Sequence, residues 1–316
     1  MQRVRSVAAR RFLAQHLPET RLVAAPSLQA NPDQQVYLKL ENELPTGSFK
    51  PRGALYARHA NFERRGVKEV VASSTGNHGA AVAYAAKKLG VKARIFLPGK
   101  NNPVKKANIM RQGAEIVEKG AIDLAEAYRA ALQYARETGA FFLNDADDPD
   151  LPAGPGVIVI EILEKLPEAG TIFVPMGDTA LIRGVAYVAK RISSKVKIVG
   201  VQSERAPSYV LSWQAGHAVE TETCDTIADG LATRTPLTPN VDAIKQLVDE
   251  VVLVSEEEML GAISRLALDE HVIAEPAGAA ATAAFLKSPA SRTGAVVLLV
   301  TGANVDPEVF RAALQT

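Results

Sequence analysis

The chain has 316 residues, a length that suits about two domains, and 36 Lys+Arg against 35 Asp+Glu leave a formal net charge of +1. With 47% hydrophobic and 22% charged residues it can bury a sizeable core, and its near-neutral charge speaks against nucleic acid as the main partner. The single cysteine, Cys224, excludes an intrachain disulfide framework and a cysteine metal cage; no apolar run approaches the roughly 18 residues of a membrane helix, so a reducing, cytoplasmic setting is expected.

Residues 1–11 are rich in arginine and free of acids, as a transit peptide would be. However, Val4, Val7, Ala8, Phe12 and Leu13 recur near helical spacing, which favours a first amphipathic helix of the fold. Strands are predicted at 36–40, 69–73, 93–97, 115–117, 171–175, 197–201, 250–254 and 295–300. Most are apolar without clean alternation, the pattern of strands covered on both faces. Helical periodicity occupies 79–89, 123–137, 179–192 and 256–270 between them. This alternation predicts an α/β fold with parallel sheets and right-handed crossovers. Pro149, Pro152, Pro155 and Pro167 punctuate the middle of the chain, and Pro236 and Pro239 a later loop; either region suits a domain seam.

In such sheets ligands bind where strands feed loops and helix N-termini. Three glycine-bearing loops fit, at 73–79, 175–184 and 301–304, and a fourth segment, 44–53, carries a lysine. The five histidines lack metal-ligand spacing, and Gly154-Pro-Gly156 lacks the third glycine of a dinucleotide fingerprint. In Thr46-Gly-Ser-Phe-Lys50-Pro-Arg-Gly53, a turn leads into a helix with Pro51 early in it. Lys50 then stands at a positive dipole end beside Phe49, surroundings that lower a lysine's pKa toward the neutral amine of Schiff-base chemistry. Alone, the segment would better suit a solvated surface lysine.

The run Thr46-Gly-Ser-Phe-Lys50-Pro-Arg-Gly-Ala54 closely resembles the cofactor-lysine motif of serine/threonine dehydratases and serine racemases, pyridoxal-phosphate enzymes of fold type II. Ser73-Ser-Thr-Gly-Asn77-His-Gly79, Val174-Pro-Met-Gly177, Thr226-Ile-Ala-Asp-Gly230, Glu275-Pro-Ala-Gly278 and Thr301-Gly-Ala-Asn304 follow in that family's order. The resemblance implies two domains of open, twisted, mainly parallel sheets flanked by helices, of the tryptophan synthase β type. Residues 1–68 and 147–316 would form the large cofactor-binding domain, and 69–146 a small domain closing over the substrate. It implies pyridoxal 5′-phosphate as cofactor, a small amino acid as substrate, a homodimer, and neither nucleic acid nor membrane as partner. Lys50 would hold the cofactor covalently and then act as base, with Thr75 on the opposite face. Phe49, Asn77, Thr301 and the loop Gly177-Asp178-Thr179-Ala180-Leu181 would complete the cofactor site. Ser74, Thr75, Gly76, Asn77 and His78 would wrap the substrate carboxylate, His78 through its backbone N–H. Glu275 would stand behind them in a structural or functional role.

The sequence departs from the family pattern in several places. The phosphate loop normally holds four successive glycines before its leucine; here Asp178, Thr179 and Ala180 replace three of them. Left-handed backbone costs a non-glycine residue ~1–2 kcal/mol, and Asp178 brings negative charge toward a phosphate, which Arg183 one helical turn on could offset. Gln202 and Ser208 occupy the places where several relatives carry metal-binding acids, so no metal is expected. The length leaves no room for the regulatory domain of biosynthetic threonine dehydratases. The resemblance therefore implies an ammonia-lyase converting a β-hydroxy amino acid such as L-threonine or L-serine to a 2-oxo acid and ammonia. A racemase or β-replacement enzyme is the alternative, and a non-catalytic binding protein with a degenerate phosphate loop is a third reading.

Overall fold

A computed structural model describes residues 2–74, 76–99, 103–118, 124–289 and 294–316. In chain order the first half runs α1 (Gln2–Leu13), β1 (Leu22–Ala24), β2 (Gln35–Leu40), α2 (Lys50–Arg65), β3 (Glu69–Ser73), α3 (Asn77–Lys88), β4 (Lys92–Leu97), α4 (Pro103–Arg111), β5 (Glu115–Glu118), α5 (Leu124–Thr138) and β6 (Phe141–Phe142). The second half runs α6 (Gly156–Lys165), β7 (Ala169–Pro175), α7 (Ala180–Ile192), β8 (Lys197–Ser203), α8 (Ser208–Ala215), α9 (Thr238–Leu247), β9 (Glu250–Val254), α10 (Glu256–Leu268), α11 (Pro276–Lys287), β10 (Ala295–Val300) and α12 (Pro307–Ala313).

Two sheets form, ordered β1-β2-β10-β7-β8-β9 and β5-β4-β3-β6. All pairings are parallel except that of β1 with β2. All eight expected strands are present. The two unexpected ones, β1 and β6, are three and two residues long, too short for a periodicity to show. Every residue of central β10 is buried, which explains its unbroken apolar run. One core packs α10 and α11 on the large sheet, a second packs α6, α7, α8 and α9 on its other face, and a third surrounds α2 and α3 on the smaller sheet. The N-terminal stretch is a helix of the fold: Ala9 and Leu13 are buried, and Arg10 pairs with Glu164 of α6.

A buried charge cluster fixes the start of α2. Arg52 donates to Glu41 (2.7 and 2.9 Å) and to Glu161 (2.7 and 2.8 Å). Lys39 pairs with Glu161 and donates to the Thr20 carbonyl at 2.9 Å, while the Thr20 hydroxyl donates to Glu41 at 2.7 Å. The two carboxylates hold the Arg52 guanidinium above its ordinary pKa against the opposing effect of burial. These groups come from the segment before β1, β2, the turn after it, α2 and α6, so the backbone carrying Lys50 is tied to four other segments.

Candidate active site

Lys50 is positioned by a turn that pairs with the end of β10. Thr46 and Gly47 adopt left-handed backbone (φ 77 and 70), which reverses the chain before α2. The Ala303 N–H donates to the Gly47 carbonyl at 2.9 Å, the Phe49 N–H to the Thr301 carbonyl at 3.0 Å, and Ser48 bridges Gly302. Asn304 donates to the Thr46 carbonyl at 2.7 Å, tying the same turn from the other side. Lys50 then opens α2 with Pro51 second, as the sequence led us to expect.

One pocket gathers Phe49, Lys50, Ser74, Gly76, Asn77, His78, Gly177, Asp178, Thr179, Ala180, Leu181 and Thr301. All the expected site residues thus come together except Thr75, which lies outside the described residues. The Lys50 amine does not have the lowered pKa its helix-start position suggested. Burial favours the neutral form, but Asp145, in ion-pair contact, outweighs it together with Asp178 and Glu275, and the pKa rises. Asp145, opposed by burial but held by His78 and Lys50, stays well below the usual carboxylate range. The His78 ring is buried and pushed down by desolvation; its Nε2 lies 2.9 Å from the Leu143 carbonyl and its Nδ1 3.6 Å from Asp145. Its imidazole is therefore part of the site, beyond the backbone role the motif implied.

Asn77 opens α3 without capping it. Its amide donates to Glu275, and its carbonyl oxygen accepts from Asn304 at 2.8 Å. Ser74 turns its hydroxyl to the Gly76 N–H at 3.0 Å, which curls the loop ahead of α3. The Thr301 hydroxyl donates to the Ala277 carbonyl at 3.3 Å.

At the phosphate-loop position, a Cβ on Gly177 would stand 2.2 Å from the Gly230 carbonyl oxygen, so no larger residue fits. Thr179 adopts left-handed backbone (φ 68) directly before α7, in a conformation that would suit glycine better. Asp178 accepts from the Thr233 hydroxyl at 3.1 Å, and burial plus the charge of Asp145 push its carboxyl up to about 6. Arg183 donates to the Thr179 hydroxyl at 3.1 Å and to the Ala146 carbonyl at 3.2 Å. It stiffens the loop by hydrogen bonds and reaches Asp178 only through longer-range attraction.

Two site residues escaped the sequence reading. Asp145 arrives on the loop after β6. Lys105 of α4 crosses to the large sheet's side of the pocket, bonding both oxygens of Asp229 at 2.6 Å and facing Glu275 at 3.1 Å. Its stem lies across Gly76, where a Cβ would stand 2.3 Å from Lys105 Cδ. At the positions considered for metal, Gln202 accepts from the Tyr209 and Val210 N–H groups, both at 3.1 Å, and the Ser208 hydroxyl donates to the Thr233 carbonyl. Both side chains serve the start of α8.

The sheet pair and this lysine pocket define a fold type II pyridoxal-phosphate enzyme. Residues 13–302 match the family model described as pyridoxal-phosphate dependent enzyme. The chain is 39% identical over 300 residues to an L-threonine ammonia-lyase of Thermotoga maritima, covering 94% of this chain and 74% of that one. It is 38% identical over 281 residues to an L-threonine ammonia-lyase of Geobacter sulfurreducens, covering 89% and 70%. Maize serine racemase superposes with a TM-score of 0.91 at 29% identity, covering 98% of this chain and 96% of that one. The processed threonine deaminase isoform 2 of Solanum lycopersicum gives 0.91 at 30% identity, covering 99% and 86%. The chain belongs to the pyridoxal-phosphate-dependent enzymes, in the serine/threonine dehydratase and serine racemase family.

The residues present fit the cofactor. A lysine amine stands inside a pocket that the starts of α3 and α7 also line, and α7 leaves its first-turn N–H groups toward the loop before it. The Ser73 hydroxyl at the pocket wall is buried without a hydrogen-bond partner among the described residues. The one discordant feature is Asp178, whose charge opposes a phosphate.

Proposed function

We propose that the chain is an ammonia-lyase that releases ammonia and a 2-oxo acid from a small β-hydroxy amino acid, L-threonine before L-serine. The observation that carries this reading is the Lys50 amine in one pocket with Asn77, the 177–181 loop and Thr301. Relatives named L-threonine ammonia-lyase and L-threonine dehydratase favour threonine. The cofactor, when bound, supplies the electron sink for the substrate α-carbon.

In this reading Lys50 anchors the cofactor and, once released, takes the α-proton on its Nζ. Phe49 packs beside the ring and Asn77 offers its amide to a ring oxygen. The backbone donors of Gly177, Asp178, Thr179, Ala180 and Leu181, with the α7 start, hold the phosphate. Ser74, Thr75, Gly76, Asn77 and His78 receive the substrate carboxylate at the start of α3. Thr301 sets a hydroxyl, not a carboxylate, toward the ring nitrogen, so the sink is weak and prompt loss of the β-hydroxyl is favoured over transamination. Residues 69–146, which hold the smaller sheet, act as a domain closing over the substrate; 1–68 and 147–316 hold the cofactor. A homodimer in the cytoplasm completes the reading. Among the described residues no helix is long and apolar enough to cross a membrane.

The likeness to maize serine racemase favours racemisation as the second reading. It requires Thr75 as an acid–base group, and a β-branched hydroxyl is poorly suited to that role. The deciding experiment incubates the cofactor-loaded protein with L-threonine and L-serine and follows 2-oxo acid release alongside chiral analysis of the remaining substrate. Oxo acid should dominate. Faster interconversion of enantiomers would replace the lyase reading with the racemase one, and protein that stays colourless with added cofactor would favour a binding role.

A further inference from the structure

Loss of a β-hydroxyl needs a proton, because hydroxide is a poor leaving group, and Lys50 collects one from the α-carbon. Among the described residues the carboxylate paired with Lys50 is Asp145, which lines the pocket. Behind it stands His78. A carbonyl oxygen only accepts hydrogen bonds, so the 2.9 Å contact with the Leu143 carbonyl places a hydrogen on His78 Nε2. In the neutral ring Nδ1 is then bare, and it faces Asp145 Oδ2 at 3.6 Å. Two bare acceptors repel; one proton between them turns the contact into an attraction, and such contacts tighten when a site is loaded. Once Lys50 is engaged as anchor or as neutral base, Asp145 loses its ammonium partner. The carboxylate is then left with His78, while Asp178 repels it and Arg183 attracts it from farther off. The other pocket carboxylates, Asp229 and Glu275, are held by Lys105.

We propose that Asp145, backed by His78, is a catalytic acid–base residue of the elimination, passing the proton gathered by Lys50 to the departing β-hydroxyl. This inference rests on the ammonia-lyase reading. The α-C–H bond breaks with its proton going to Lys50 Nζ, and its electron pair forms the α–β double bond. The β-C–O bond breaks with its pair on oxygen, which takes the proton held by Asp145 and leaves as water. The Lys50 ammonium then returns a proton to Asp145, so no further reactant is consumed. His78 is a positioning residue that shares this proton with the carboxylate between turnovers, through the Nδ1 that faces Asp145 Oδ2.

The test compares leaving groups. Cofactor-loaded wild type and Asp145→Asn are each given L-threonine and β-chloro-L-alanine, whose chloride departs without a proton. The variant should keep its visible cofactor absorbance, lose turnover of threonine by about 10²-fold or more, and keep chloroalanine turnover within about threefold. Wild type inert toward both substrates overturns the lyase reading and the inference with it. Active wild type with a variant that loses both substrates alike, or keeps both, overturns the inference alone: equal loss would make Asp145 only a counter-ion of Lys50. Should Asp145→Asn fail to take up cofactor, His78→Gln carries the same comparison. It keeps a donor for Leu143 but holds no mobile proton, so a larger loss on threonine than on chloroalanine supports the proposal and an equal loss refutes it.

Discussion

Asp178→Asn isolates the cost of the unusual phosphate loop. The carboxyl ordinarily titrates at 3.8 and is pushed up to about 6, so its charged form is disfavoured by about two pH units in the fold. That corresponds to at most about 3 kcal/mol, less the screening of a half-buried side chain. The sign follows from linkage. Below pH about 4 the acid is protonated in both folded and unfolded chains and no penalty exists; the penalty grows as pH rises through the interval and is complete above about 6. Asparagine keeps an oxygen for the Thr233 hydroxyl and carries no charge. The cofactor-stripped variant should therefore match wild type near pH 4 and exceed it at pH 7.5. At roughly 2 cal/mol/K per residue the unfolding entropy of this chain is about 0.7 kcal/mol/K, so the gain is up to about 4 °C in Tm. Differential scanning fluorimetry across pH 4–8 reads it. A variant no more stable than wild type at pH 7.5, or a gain that persists unchanged to pH 4, would refute the reasoning. The same substitution should tighten cofactor binding, since a dianion no longer meets a carboxylate.

Lys50→Ala should abolish the visible absorbance of bound cofactor and all turnover, because the proposed anchor and the proposed base are one group; measurable oxo acid from the variant would overturn that role. Arg52→Met strips the guanidinium from two buried carboxylates and should cost about 3–5 kcal/mol, read by urea unfolding; a loss under about 1 kcal/mol would mean that the cluster does not hold α2. Exhaustive treatment with a chelator should leave activity unchanged, since Gln202 and Ser208 are spent on the start of α8; inhibition reversed by added divalent cation would contradict this.

The strands were legible because parallel strands buried on both faces read as apolar runs, β10 most plainly. Lys50, Asn77, Gly177 and Thr301 were legible through loops whose order matches a family, and the fold does bring them into one pocket. Asp145 was not: it begins a run with Asp147, Asp148 and Asp150 that reads as a solvated loop, and only tertiary placement sets it on Lys50. Lys105 and Lys106 are likewise indistinguishable in sequence, yet Lys105 is 4% exposed and Lys106 35%. The cluster around Arg52 did leave a signal. Glu161 is the one acid within the apolar run 157–163 of α6 and Lys39 a lone base inside an apolar strand, and buried opposite charges find one another. The reversed pKa of Lys50 has the same origin: the helix start was visible in sequence, but the carboxylate opposite it was not.

The polar chain from Asn304 through Asn77 and Glu275 to Lys105 and Asp229 has a thermodynamic consequence. It runs without a break from the loop after β10 to the helix that rides on the smaller sheet. An Asn77 amide turned to a bound oxygen is withdrawn from Glu275, whose charge then falls more heavily on Lys105. Reciprocity follows whatever the size of the effect. If loading the site strengthens the grip of Lys105, then apposing the two sheets strengthens loading by the same factor. Occupancy and closure would then be two readouts of a single equilibrium, and a change at Asp229, whose carboxylate holds Lys105, should shift both together.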